Sequence, residues 1–173
     1  VRCWGDNQYG QLGNGMTTDL VLSVPQDLTL GGSAMTARSI ATGATHACAI
    51  LATGEVACWG HDNEGQVGND ADLVDQTAPV LVPNVANARA VALGNEFSCA
   101  LRSAGDVTCW GDNADGQLGD GTANDRATAT GVAVTGVAGA LSIAAGGHHA
   151  CALIADGTVK CWGRNDLGQI GNG

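Results

Sequence analysis

Positive charge is scarce in this chain. Of 173 residues only 7 are Lys or Arg, against 17 Asp and Glu, for a formal charge of −10. Such a surface repels phosphate backbones and disfavours direct DNA or RNA binding. Aromatics are few: four Trp, one Tyr and one Phe. Proline numbers only three, and the 27 glycines show no three-residue period, so collagen is excluded. That much glycine also argues against a long helical bundle. No long apolar run reaches the length of a membrane-spanning helix. No signal peptide is visible: the sequence opens at Val1 inside a motif, so any targeting segment is expected to be removed or to lie outside these residues. The signatures of common catalytic sites are missing too. There is no Gly-x-Ser-x-Gly, no His-Glu-x-x-His and no phosphate loop with its lysine. No enzymatic activity, cofactor or metal is expected. Disorder is excluded by the hydrophobic share of 45 %, carried in short alternating runs.

What the chain does have is repetition. Cys-Trp-Gly begins at Cys3, Cys58, Cys109 and Cys161, at intervals of 55, 51 and 52 residues. Each copy continues through Trp4, Trp59, Trp110 or Trp162 into W-G-x-[ND]-x-x-G-Q-[LVI]-G-[ND]-[GD], and every Trp of the chain lies in that frame. Its glutamines are Gln11, Gln66, Gln117 and Gln169. They are expected to hydrogen-bond local backbone in Gly-rich turns. A second phrase precedes three copies: TGATHACAILATGEVACWG from Thr42, and its counterparts from Leu93 and Ala145. Each has two alternating apolar runs around a Gly, the signal of a β-hairpin.

The register of that hairpin follows from the residues. If Cys48 faces Cys58, then Ala49 faces Ala57, Ile50 faces Val56 and Leu51 faces Glu55. Ala52-Thr53-Gly54 is left as a three-residue loop, with Gly54 at the positive-φ position. The same register serves Ser103-Ala104-Gly105 and Ala155-Asp156-Gly157, and sets Arg102 opposite Asp106. Inner strands are expected at Ser39-Ile40-Ala41, Ala90-Val91-Ala92-Leu93 and Ser142-Ile143-Ala144, with residues 71–93 otherwise a loop of short extended pieces. A period near fifty with several short strands reads as a β-propeller blade. The expected fold is all-β: three full blade-length repeats of four antiparallel strands plus a partial one. The whole of 1–173 forms a partial propeller, in phases 3–57, 58–108, 109–160 and 161–173.

These phrases resemble the regulator of chromosome condensation repeat family. The matching residues are Gly43 with His46, Gly146 with His149, Asp156-Gly157 and the four tryptophan phrases. The resemblance implies a seven-bladed propeller of four-stranded blades. Its founder binds nucleosomes and activates a small GTPase, and relatives include secreted bacterial binding proteins, one type of which inhibits β-lactamases. Fold therefore carries over further than function. The chain departs from the family at Phe97, where His is usual, at Asp62, where Asn is usual, and in an added Cys pair per blade.

Six of the seven cysteines fall in pairs ten apart: Cys48/Cys58, Cys99/Cys109 and Cys151/Cys161. Each pair lies directly across a hairpin and is expected to form a disulfide. Reduced core cysteine is the plainer alternative. Zinc is the rival, but ten residues across a hairpin is not zinc-ligand spacing, and Phe97 interrupts the pattern of His46 and His149. Disulfides imply an oxidising compartment, so the protein is expected to be secreted or at the cell surface, with the periplasm also open. Cys3 is unpaired; its mate is expected ten residues before Cys3. Seven blades of this length would need about 365 residues. The segment therefore reads as part of a larger ring, as one of several copies that complete a ring, or as a unit of a fibre.

Asp112-Asn113-Ala114-Asp115-Gly116 looks like a calcium loop, but with Gly116 at position six Gly111 falls where a carboxylate is required. The acidic string 69–75 departs from its equivalents and is expected to be a solvated loop, with calcium as the rival. Binding residues are sought where copies differ, at Tyr9, Glu64, Asp115 and Leu167. Three functions are thus in view: an extracytoplasmic module binding a protein or glycan, a segment of a surface filament, and an exchange factor or chromatin-type regulator, which acidity and cysteine pairing disfavour.

Overall fold

The computed structural model describes residues 1–69, 73–129 and 133–173, and all regular structure among them is strand. The chain opens on an antiparallel pair, β1 (Arg2–Asn7) and β2 (Thr18–Asp27), followed by the short pair β3 (Thr29–Leu30) and β4 (Ser33–Ala34). Next, β5 (Ala37–Thr42), β6 (His46–Leu51), β7 (Val56–Gly60) and β8 (Gln76–Leu81) form a four-stranded sheet in that order. Two three-stranded sheets follow, β9 (Ala88–Leu93), β10 (Phe97–Arg102) and β11 (Val107–Gly111), then β12 (Ala140–Ala145), β13 (His149–Ile154) and β14 (Val159–Gly163). This is a run of β-propeller blades. The inner strands β5, β9 and β12 touch in succession. Arg38 of β5 donates to the Ala88 carbonyl, and Arg89 of β9 to the Ala140 carbonyl, so each inner strand is also tied to the next through a guanidinium.

The hairpins have the register the residues demand. Cys48 pairs with Cys58, Ala49 with Ala57 and Ile50 with Val56. Leu51 N–H donates to the Glu55 carbonyl over 2.9 Å, and Gly54 closes the turn at φ +90°. The other two hairpins repeat this pairing. Arg102 and Asp106 form the expected surface ion pair. The turns also join neighbours: the Gly54 carbonyl accepts from Ala88 N–H and the Gly105 carbonyl from Ala140 N–H.

Period-two alternation gives the β5–β8 and β9–β11 sheets two buried faces each, while β12–β14 buries one and leaves Leu153 and Val159 exposed. On β6 and β7, Ala47, Ala49, Leu51, Ala57 and Trp59 pack backward on Leu28 and Met35. Cys48, Ile50, Val56 and Cys58 pack forward on Val67, Leu93, Ala100 and Trp110. In the next junction Cys99, Leu101, Val107 and Cys109 meet Ala150, Ala152, Ile154 and Trp162. The core is therefore not one centre but a series of layers between sheets. Two of these layers are closed on one side by a Trp and on the other by a cysteine pair; the first has Trp59 with the single Cys3. Burying a Trp removes roughly 200 Å² from water, a transfer gain on the order of 5 kcal/mol per junction.

Among the described residues, four continuous strands are found in one blade only. After β11 the outer position is held by isolated bridges, Thr108 with Ala133 and Gly111 with Arg126. The cause is local. The Asn113 amide donates to the carbonyls of Thr122 (3.1 Å) and Asn124 (3.0 Å), and Asn113 N–H donates to Asp125 (2.8 Å). Side-chain bonds thus fix the backbone of the loop between β11 and the first outer bridge. In β8 the ladder survives a proline: Pro79 lies in an outer strand, and the register shifts between Cys58 and Gly60.

Candidate functional site

The tryptophan phrase proves to be a device for building and joining blades. Three residues after each Trp, the side-chain Oδ1 of Asn7, Asp62, Asn113 or Asn165 accepts the N–H five residues on, at 3.0, 2.8, 3.0 and 3.1 Å. Asp62 does this as well as Asn, because the required group is an acceptor. The Gln Oε1 atoms accept the N–H two residues back, from Tyr9, Glu64, Asp115 and Leu167, at 2.8–2.9 Å. The glutamine fixes the backbone of a position whose side chain differs between copies. Its own carbonyl looks outward. Trp59 Nε1–H donates to the Gln11 carbonyl, Trp110 to Gln66 and Trp162 to Gln117, at 2.9, 3.0 and 2.9 Å. Every described junction is stitched by the Trp of one repeat to the Gln of the one before.

A second contact reaches the Gln66 carbonyl. Ser98 Oγ–H donates to it over 2.8 Å, and His46 Nε2 stands 2.9 Å from the same hydroxyl. The hydroxyl proton is committed, so Nε2 must be the donor and Nδ1 is left bare against Gly43. Burial leaves His46 2 % exposed and depresses its pKa to about 4, with the His61 charge adding to the effect. At the next junction Phe97 replaces the His and Ala150 replaces the Ser. The departure at Phe97 is thus half of a paired exchange, polar couple for apolar couple. His149, the third member, is half-buried.

The three cysteine pairs are disulfides, with S–S distances of 2.06, 2.09 and 2.09 Å. Cys48, Cys58, Cys99 and Cys109 are fully buried at the junctions. Cys3 is a free, half-buried thiol on β1, its pKa raised by burial. Trp4 beside it is exposed.

The loops between inner and middle strands and those after Trp-Gly meet on one face. His61 N–H donates to the Thr45 carbonyl, Asp112 N–H to Glu96 and Arg164 N–H to His148. Tyr9, Ala44, Thr45, His61, Asn95, Glu96 and His148 line a hollow of about 340 Å³ there. The Tyr9 and His61 rings lie 4.2 Å apart, tilted by 38°. His61 Nδ1–H is held by Asp75 at 2.7 Å. Asn95 Nδ2 lies 3.1 Å from His148 Nε2, and His148 Nδ1 is 3.9 Å from Asp112 and 3.7 Å from Asp115. Burial raises the Glu64 carboxyl pKa, and the nearby charges of Asp125, Glu96 and Asp112 raise it further, against the pull of His61. The face is crowded with negative charge.

Of the variable positions, Tyr9 is in the hollow, Glu64 and Asp115 border it, and Leu167 stands 88 % exposed in the fourth copy. Reading one variable position per repeat missed His61, Glu96 and His148. The signal was available: the position two after each Trp holds Asp6, His61, Asp112 and Arg164 and is just as variable. Of the acidic string 69–75, Asp70, Ala71 and Asp72 lie outside the described residues. Among the described residues no group of three His, Cys, Asp or Glu side chains is placed to hold a metal, and no helix is long and apolar enough to cross a membrane.

The regulator of chromosome condensation (RCC1) repeat matches residues 2–50, 53–101 and 104–153, and a second description of the same repeat matches 37–66, 88–117 and 141–169. The chain belongs to the RCC1 repeat family. It is 31 % identical to the ultraviolet-B receptor UVR8 of Arabidopsis thaliana, over 100 % of this chain and 39 % of that protein. It superposes on yeast RCC1 (Prp20), solved bound to Kap60, with a TM-score of 0.79 and 26 % identity, over 100 % of this chain and 41 % of that one. The ectodomain of the Physcomitrella patens receptor kinase CR4 gives a TM-score of 0.51 at 25 % identity, over 93 % and 35 %. The chain thus spans about two fifths of the length of these RCC1-type relatives.

Proposed function

We propose that this chain forms a non-enzymatic, extracytoplasmic β-propeller module that binds a protein or glycan partner through the loop face carrying Tyr9, Glu64 and Asp115. The observation that carries the reading is the set of three hairpin disulfides, two of them fully buried at blade junctions. Crosslinks of this kind persist in oxidising compartments and are rare in the cytosol and nucleus. The likeness to a receptor-kinase ectodomain supports the same setting, and yeast RCC1 in complex with Kap60 supports a protein partner. Rigid blades with backbone-pinned loops suit recognition, since side chains change without cost to the scaffold. An exchange-factor role, by contrast, requires a reducing compartment.

Two measurements test this. Thiol labelling of the native protein in cell fractions should find it outside the cytoplasm with the six paired cysteines unreactive. Exchanging His61, Glu64 and Asp115 for Ser, with the buried Asp62 and Asn113 kept, should abolish capture of the native partner while leaving the fold intact. Full partner binding after that exchange, or reactive thiols in a cytosolic protein, would overturn the reading.

A further inference from the structure

We propose that the hollow lined by Tyr9, Thr45, His61, Asn95, Glu96 and His148 receives a lysine or arginine side chain from a basic segment of a partner protein. The inference rests on the loop-face reading above and gives it a ligand chemistry. The hollow is built beside the β1–β2, β5–β8, β9–β11 and β12–β14 sheets, whose loops contribute Tyr9, then Thr45 with His61, then Asn95 with Glu96, then His148. Its volume is at the small end of the range for ligand pockets, enough for one long side chain and not for a folded element.

Its walls select a cation. Tyr9 and the His61 ring packed on it supply an aromatic wall of the kind that attracts ammonium and guanidinium groups. Glu96 is half-buried, and its carboxylate makes no hydrogen bond or ion pair among the described residues. The loops 6–9, 44–45, 61–64, 95–96, 112–115, 147–148 and 164–167 carry six exposed or half-buried carboxylates, Asp6, Glu64, Glu96, Asp112, Asp115 and Asp166; a seventh, Asp62, is buried and accepts the Val67 N–H. Against them stands one Arg, Arg164, already paired with Asp166. Arg126 nearby is likewise paired, with Asp120. Among the described residues the hollow is lined by anions and an aromatic ring, with the imidazoles of His61 and His148 but no Lys or Arg. A basic peptide completes the set. A neutral glycan would leave the Glu96 charge uncompensated in a half-buried site.

The experiment is fluorescence anisotropy on the full protein with a labelled Gly-Ser-Arg repeat peptide, alongside the same peptide with citrulline in place of Arg, which keeps the shape and removes the charge. The arginine peptide should bind and citrulline should weaken it at least about ten-fold, as loss of a charge-assisted contact predicts. Glu96→Gln and Tyr9→Ala should each reproduce much of that loss, while Tyr9→Phe keeps the affinity. Glu55→Gln, at the hairpin turn on the opposite face, should change nothing. Equal binding of the two peptides, no binding of either, or equal effects of Glu96→Gln and Glu55→Gln would overturn the proposal. If the loop exchange abolishes partner capture while Glu96→Gln and Tyr9→Ala leave it whole, this ligand chemistry fails and the loop-face reading stands.

Discussion

At the scale of single residues, His46 makes the sharpest prediction. Its imidazole is neutral when folded, with a pKa of about 4 against 6.5 for an exposed histidine. As pH falls the unfolded chain takes up the proton first, so stability is complete above pH 6.5 and drains away between there and about 4. The loss amounts to about 3 kcal/mol at the low end. His46→Phe copies the arrangement at Phe97 and should flatten that part of the curve in denaturant titrations across the range. An unchanged slope would remove His46 from the account. Glycines offer a second test. Gly68 sits at φ +77°, and a Cβ there would lie 2.4 Å from Trp110 Nε1. Gly116 has nearly the same backbone, φ +74°, with nothing within 4 Å. Gly116→Ala should cost about 1 kcal/mol for the left-handed backbone alone; Gly68→Ala adds the clash and should reach about 3 kcal/mol or more. Equal costs would mean that the approach of Trp110 is not tight.

At the scale of the element, the hairpin was readable before any coordinates because three copies had to share one register. Cys48, Ile50 and Val56 allow one pairing with Cys58 and its neighbours, and the Gly54 loop length agrees. The outer strands were not readable. Their sequences differ between repeats, and around Asn113 side-chain bonds fix the backbone of the loop that leads to the first outer bridge. The junctions were half readable. All four Trp and Gln were visible as a motif, but not the fact that each Trp indole bonds the carbonyl of the previous repeat's Gln. That contact spans 44 to 48 residues and uses a backbone atom, so residue type carries no trace of it. The hollow was legible through the variable positions of Tyr9 and His61, but not through Glu96 and His148, which reach it from two other loops. For the hairpin itself, the double substitution Cys99→Ala and Cys109→Ala should lower stability by roughly 3 kcal/mol, the loop-entropy value, while β10 and β11 keep their pairing. Thermal melts with amide exchange on residues 97–111 check both halves of that statement.

At the scale of the whole molecule, stability comes from layers between blades rather than from one centre, so perturbing one junction should pass to its neighbours. Trp110→Phe removes the bond to Gln66 and part of one layer. It should expose the Cys48–Cys58 bridge, which shares a layer with Trp110, to reductant faster than in the parent protein, while Cys99–Cys109, in the next layer with Trp162, changes less, and timed reduction followed by alkylation reads this directly. The central claim is that each blade is crosslinked within itself and joined to the next only by packing and hydrogen bonds. Peptide mapping of the native protein under non-reducing conditions tests it most directly. The account predicts Cys48–Cys58, Cys99–Cys109 and Cys151–Cys161, with Cys3 in none of them. Free thiols at these six positions, or a bridge running from one repeat to another, would contradict it.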